Sequence, residues 1–332
     1  MRNARILGRN KKNYYHLMSR VVSGDFLLGQ EEKDFFLFTM RRLEAFMGVK
    51  ILTYCIMTNH FHILAEVPEI TSITDAELLR KIEGLYGKIY ADEERFEYKR
   101  LKKEALKTGD DWELKRWREP YLRRMGNLSV FGQELKSRFA RWYNWRKNRE
   151  GAFWSSRFKS VLVENSESAL SMISAYIDLN PVRAGIVKDP KAYRFSGYGE
   201  AMAGGRIAKD GICAWSQMVR RDVETPSWSV AATMYRVHLF GVGEGSGIDS
   251  KRVKEVLEAG GKLSTHELLR CRVRYFVDGL AIGSKSFVEE VFDTHRGLFA
   301  EKRDSGARKI KKAEDSFFCL RDLRKEPIRA PS

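Results

Sequence analysis

Between Asn13 and Val22 the chain reads Asn-Tyr-Tyr-His-Leu-Met-Ser-Arg-Val-Val, and a period of two puts Tyr14, His16, Met18 and Arg20 on one face of a predicted strand. From Gln30 to Met47 the spacing changes: Phe35, Phe36, Phe38, Met40, Leu43 and Phe46 recur as on a helix, and Gly48 supplies a stop. The apolar runs at 50–57 and 60–67 flank a turn-like Thr58-Asn59 and predict two short buried strands. Residues 69–127 are charged and helix-prone, with Trp112 and Trp117 among them, and read as an insertion. A strand is expected over 157–164, then a helix capped near Ser166 that carries Leu170, Ile173, Tyr176 and Ile177 and stops at Pro181. Strand, helix, strand, strand, helix, strand is the order of an α+β fold, a ferredoxin-like split βαβ antiparallel sheet with helices on one face.

Glycines punctuate the chain beyond Ser196, at Gly197, Gly199, Gly204 and Gly205 and again between Gly241 and Gly247. They predict a first domain over 1–200, a linker over 201–248 and a C-terminal module over 249–332. That module reads as helical, with capping-box patterns at Ser264-Thr265-His266-Glu267 and Ser286-Phe287-Val288-Glu289, and ends in the basic residues Arg308, Lys309, Lys311 and Lys312.

Charge narrows the class of partner. The 332 residues hold 60 Lys and Arg against 44 acids, a formal net charge of +16, as expected of a protein that meets a polyanion. The excess concentrates between Lys136 and Lys159, where Lys136, Arg138, Arg141, Arg146, Lys147, Arg149, Arg157 and Lys159 face a single acid, Glu150. Aromatic residues run through the same stretch. At helical spacing Leu135, Phe139 and Trp142 are expected to pack inward, which leaves Tyr143, Trp145 and Trp154 as platforms for unpaired bases. Alternation along 157–164 would put Arg157 and Lys159 on one sheet face. The four cysteines, Cys55, Cys213, Cys271 and Cys319, have no paired spacing and suit a reducing cytoplasm; no window approaches the length of a membrane span.

Candidate chemistry sits on two elements. His60 and His62 are two apart on a strand and share a face, with Phe61, Ile63 and Ala65 turned to the other, so two imidazoles can converge on one ion. His16 could approach them, though a strand histidine more often packs. On the helix, Tyr176 and Asn180 are four apart and share a face, while Asp178 points away. Should the two faces meet, Asn180 can give a carbonyl oxygen as third ligand and Tyr176 is a phenol beside a metal, a nucleophile for phosphate.

Asn59-His60-Phe61-His62 and Tyr176-Ile177-Asp178-Leu179-Asn180-Pro181-Val182-Arg183-Ala184-Gly185 together resemble the HUH single-tyrosine transposases of insertion-sequence-200 type, most closely the REP-associated tyrosine transposases. The likeness extends to Trp154-Ser155-Ser156-Arg157-Phe158-Lys159-Ser160 and to Tyr193-Arg194-Phe195-Ser196-Gly197-Tyr198. It implies that His60, His62 and Asn180 bind a divalent metal, Mg²⁺ or Mn²⁺, and that Tyr176 is the nucleophile. It also implies a transposase that cleaves and rejoins single-stranded DNA near hairpins through a 5′-phosphotyrosine. Arg138, Arg141, Arg146, Lys147, Arg157, Lys159 and Arg183 would then hold the DNA backbone, with Tyr143 and Trp145 against bases; a homodimer is compatible with the sequence. Two competing readings are a non-cutting DNA or RNA hairpin binder and a metallohydrolase. The second lacks its Asp and His two and three residues after His62, where Leu64 and Ala65 stand.

Overall fold

The computed structural model describes residues 6–69, 72–221, 224–240, 276, 279–310 and 317–321. It is a mixed α+β protein in two compact units, one made of residues 1–20, 51–65 and 158–332, the other of residues 21–50 and 66–157.

The first unit is built on a sheet. Strands β1 (Lys12–Arg20), β2 (Lys50–Ile56), β3 (His60–Pro68) and β4 (Lys159–Val163) stand in the order β2-β3-β1-β4, so β3 and β1 are interior strands. An interior strand with both faces covered buries alternate residues of both sets, and Tyr14, Tyr15, His16, Leu17 and Met18 of β1 are all buried. β1 runs antiparallel to β4 with His16 opposite Val161. Because β4 starts at Lys159, Arg157 lies outside it, and the alternation expected to align the two cations does not operate.

The C-terminal part differs from the helical module expected. Its described residues add β5 (Ala281–Gly283), β6 (Arg308–Lys309) and β7 (Phe318–Leu320) to the same sheet, giving seven strands in the order β2-β3-β1-β4-β5-β7-β6. β5 pairs with β4 in parallel, so the sheet is mixed rather than antiparallel. Each of these strands is two or three residues long, too short for a period of two to register in the sequence. The α-helix Lys285–Thr294 of this part is capped by Ser284, whose Oγ accepts from Phe287 N at 3.2 Å; the cap expected at Ser286 is two residues out of place. The pattern at Ser264 and the cations Lys311 and Lys312 lie outside the described residues.

Helices α6 (Glu167–Asp178) and α7 (Asn180–Arg183) follow β4. Ser166 caps α6 as expected, its Oγ accepting from Ala169 N at 3.4 Å. Beyond them, α8 (Gly197–Met202), α9 (Arg206–Arg220) and α10 (Trp228–Phe240) occupy much of the stretch expected to be a linker. Some of the glycines there serve close packing. A Cβ on Gly211 would stand 2.5 Å from the Ile51 carbonyl oxygen and 2.9 Å from that of Leu52, and one on Gly197 would meet Thr53 Oγ1 at 2.3 Å. α9 can lie against β2 only because Gly211 has no side chain. Gly211→Val is accordingly expected to cost about 1–3 kcal/mol although it removes a mid-helix glycine, since the backbone it meets cannot swing aside. A urea midpoint lowered with the slope unchanged checks this; an unchanged midpoint would mean that α9 shifts freely.

The second unit is helical: α1 (Gln30–Met47), α2 (Asp75–Tyr86), α3 (Lys88–Thr108), α4 (Trp112–Leu122) and α5 (Leu128–Arg146). α1 ends at Gly48 in the left-handed region, as its sequence predicts, and α2 to α4 make most of the 69–127 stretch helical. α1 and α5 pack through aromatic residues, with Phe35 stacked on Trp142 at 4.1 Å and Phe36 edge-on to Phe139.

Candidate active site

Within the first unit, β1, β3 and α6 bring His16, His60, His62 and Tyr176 together. The His60 and His62 rings lie 5.0 Å apart at 83°, consistent with a shared strand face. The Tyr176 ring is 5.4 Å from His62 and 5.9 Å from His16, both edge-on, and 5.0 Å from Phe276. The Arg183 guanidinium carbon stands 5.2 Å from the centre of the Tyr176 ring. One turn from Tyr176, Asn180 Nδ2 donates to the Tyr176 carbonyl at 2.9 Å, which commits its nitrogen and leaves Oδ1 as the other end of the amide.

The electrostatics follow from burial. His16 and His62 are buried, and desolvation brings the His16 pKa down to about 3. His62 is held well below the ordinary range by burial and by neighbouring His16, His60, Arg183 and Arg20. Burial, then the charge of the exposed Arg20, lowers His60 to about 4. All three imidazoles are therefore neutral at pH 7, the form in which a ring nitrogen can ligate a metal. Tyr176 is 5% exposed and burial raises its pKa, while the Arg183 charge and a hydrogen bond from Asn180 act in the opposite sense. At rest it is a phenol.

Histidines held neutral couple stability to acid. A folded pKa below the unfolded value of about 6.5 means that the unfolded chain binds more protons, so stability is complete above pH 6.5 and lost as pH falls toward 3. His16 alone loses about 2 kcal/mol between pH 7 and 5. His60, His62 and His238 act in the same direction. Asp178 opposes them: burial raises it to about 6, so it gains about 1 kcal/mol over the same interval. The imidazoles prevail, and urea titrations at pH 7, 6 and 5 are expected to show falling midpoints; a flat or rising series would mean that these rings take up protons in the fold as readily as in the unfolded chain.

Whether these side chains suit a metal is decided by the donors they offer. His60 Nδ1 is bonded to Asn59 Oδ1 at 2.6 Å and His62 Nδ1 to His16 Nε2 at 2.9 Å, which reserves Nε2 of both rings. Among the described residues no group of three or more His, Cys, Asp or Glu is placed to share an ion. A metal here would rest on two imidazoles and the Asn180 amide oxygen, a set that fits a divalent cation with open positions.

Two residues carry more than their sequence signal suggested. His16 both packs and touches His62. Asp178, on the far side of α6 from Tyr176 as expected, is fully buried and accepts from Thr53 Oγ1 at 2.6 Å, from Tyr198 N at 3.1 Å and from the Tyr235 hydroxyl.

The basic and aromatic stretch is more structural than its composition implies. Tyr143 and Trp154, expected to be base platforms, are 7% and 9% exposed: Tyr143 packs on Phe153, and Trp154 Nε1 donates to the Lys136 carbonyl. Lys136 is itself buried, with Nζ donating to the Ser156 carbonyl. Arg138 is paired with Glu134, Arg146 with Glu31, and Lys147 with Glu32 and Glu31. The ordering of aromatic faces failed because the segment after α5 folds back, so rings that leave the helical stripe still find a core. Trp145 remains exposed, at 79%, as do Arg141, Arg157 and Lys159.

No family model matches the chain, and no curated protein matches it. Among solved structures it is similar to that of a REP-associated tyrosine transposase bound to a REP hairpin, at 16% identity, covering 62% of this chain and 87% of that chain, with a TM-score of 0.38. Among the described residues no helix is long and apolar enough to cross a membrane.

Proposed function

We propose that the protein is a metal-dependent tyrosine transposase that cleaves and rejoins single-stranded DNA near hairpins. What carries this reading is the meeting of Tyr176 with the His60–His62 pair, three residues from elements more than a hundred positions apart in the chain, in the combination that resembles the HUH single-tyrosine enzymes. The sheet order β2-β3-β1-β4, reached through strand, helix, two strands, helices and strand, suits the ferredoxin-like plan of such a domain. His60, His62 and Asn180 would hold Mg²⁺ or Mn²⁺, which when bound supplies charge withdrawal at the scissile phosphate.

The chain's own residues then do the following. Tyr176 Oη gives its proton to solvent and attacks the phosphorus in line; the P–O3′ bond breaks, the 3′ oxygen takes up a proton from solvent, and the 5′ phosphate stays on the tyrosine. Arg183, over the ring, favours the phenolate as it forms. A second 3′-OH reverses the step, because the phosphotyrosine ester conserves the bond. Arg141, Arg146, Lys147, Arg157 and Lys159, with Trp145, are exposed in the basic stretch, and cations and an aromatic face of this kind suit a DNA strand.

The experiment is to incubate the protein with labelled, hairpin-flanked single strands and Mg²⁺ or Mn²⁺, then denature and look for a covalent adduct. An adduct that disappears with chelator supports the reading. Salt-sensitive binding with no adduct in either metal favours a non-cutting hairpin binder, a role to which the 5% exposure of Tyr176 would be no obstacle.

A further inference from the structure

His16 lies between a carbonyl and a histidine. Its Nδ1 is 3.1 Å from the Phe276 carbonyl oxygen, its Nε2 is 2.9 Å from His62 Nδ1, and its ring stacks on His62 with centroids 5.0 Å apart. The side chain has no exposed surface.

This arrangement permits one distribution of protons. A carbonyl oxygen only accepts, so His16 Nδ1 must carry the hydrogen of that bond. A buried imidazole is far more stable neutral than charged, and a neutral ring has a single N–H. His16 Nε2 is then a lone pair, and the 2.9 Å contact is a bond only if His62 Nδ1 donates to it. His62 is in turn left with its lone pair on Nε2. The same reasoning runs independently at His60, where the Asn59 amide oxygen accepts from Nδ1 at 2.6 Å and again reserves Nε2.

We propose that His16 is a positioning residue which, anchored by the Phe276 carbonyl, fixes the tautomer and ring orientation of His62 so that Nε2 is its metal-ligating atom. Outer-shell partners of this kind are usually carboxylates, backbone carbonyls or water. Here an imidazole relays a carbonyl, which orients the ligand without adding negative charge beside a phosphate-binding centre. The pairing joins two adjacent strands, so β1 contributes to the centre without supplying a ligand.

The test has a metal-free arm and a metal arm. In the metal-free protein, nitrogen-15 NMR of the imidazole rings is expected to report His16 and His62 both as Nδ1–H tautomers. His62 as Nε2–H would overturn the proposal outright. In the metal arm, Mn²⁺ affinity is measured by calorimetry or electron paramagnetic resonance on the full chain. His16→Phe keeps a ring and is expected to weaken binding about 10–100-fold. His16→Gln, whose amide can donate to the carbonyl and accept from His62 Nδ1, is expected to stay within a few-fold of the parent. Equal Mn²⁺ affinity in the Phe variant, at matched circular dichroism, or equal loss in both variants would also overturn it. The proposal rests on the metal reading above, and the two fail differently: a parent protein that binds no Mn²⁺ defeats that reading, while the tautomer result still decides the role of His16.

Discussion

Tyr176→Phe is expected to abolish the covalent DNA adduct and to lower strand cleavage by about 10³-fold or more, while leaving fold, Mn²⁺ affinity and hairpin binding unchanged. The expectation is sharp because the substitution removes one oxygen from a ring whose other contacts remain. Phenylalanine keeps the edge contacts with His62 and His16, the packing on Phe276 and the cation over its face. Asn180 keeps its bond to the backbone carbonyl of residue 176 and loses only its contact with the phenol oxygen. A parallel substitution controls for any generic effect of losing a phenol. Tyr193 is also buried, and its hydroxyl donates to the Ile56 carbonyl at 2.7 Å. Tyr193→Phe should cost about 1 kcal/mol of stability and leave the adduct intact. An adduct that persists in Tyr176→Phe, or that vanishes equally in both variants, removes Tyr176 from the role of nucleophile.

What the sequence disclosed, and what it hid, follow from the range of the forces involved. β1, α1, β2, β3 and the cap of α6 are set by local periodicity and by single capping groups, so their positions agree with those expected to within a residue or two. The pairing of His60 with His62 is equally local. That Tyr176 faces them is not; it became legible only because two distant stretches together resembled one family. The parts that escaped are those whose partners are remote. β5, β6 and β7 are too short to show a period and exist because an edge was left to pair with. Gly197 and Gly211 resemble linker glycines until the strand they press against is known. The cations of α5 appear as a phosphate surface until Glu31, Glu32 and Glu134 are placed beside them. Asp178 is the clearest case: the sequence shows only a carboxylate on the helix face turned from Tyr176, yet it is buried because Thr53, Tyr198 and Tyr235 converge on it from three other elements.

That convergence makes Asp178 the residue whose loss should most damage the fold. Asp178→Ala is expected to cost about 3–5 kcal/mol, because the Thr53 hydroxyl, the Tyr235 hydroxyl and the Tyr198 amide each lose a buried acceptor. For a protein of this size that is a fall of roughly 4–7 °C in melting temperature. Asp178→Asn should be milder, about 1–2 kcal/mol, since its carbonyl still accepts and the two hydroxyls can turn to receive its NH₂. The parent and Asn variant are further distinguished by pH. Protonation of Asp178 near pH 6 stabilises the fold on acidification, and asparagine has no proton to gain, so the gap between the two should widen by about 1 kcal/mol from pH 7 to 5. A gap that stays constant would place the carboxylate in an ordinary, solvated state, and one that narrows would mean that the fold favours its charged form; either result overturns the burial argument. Because Asp178 stands midway between Tyr176 and Asn180, loosening it displaces both, so the Ala variant should lose adduct formation along with stability. Restoring the melting temperature with a stabilising change elsewhere should leave that activity low, for the loss comes from the placement of α6 and not from the fraction of chains folded.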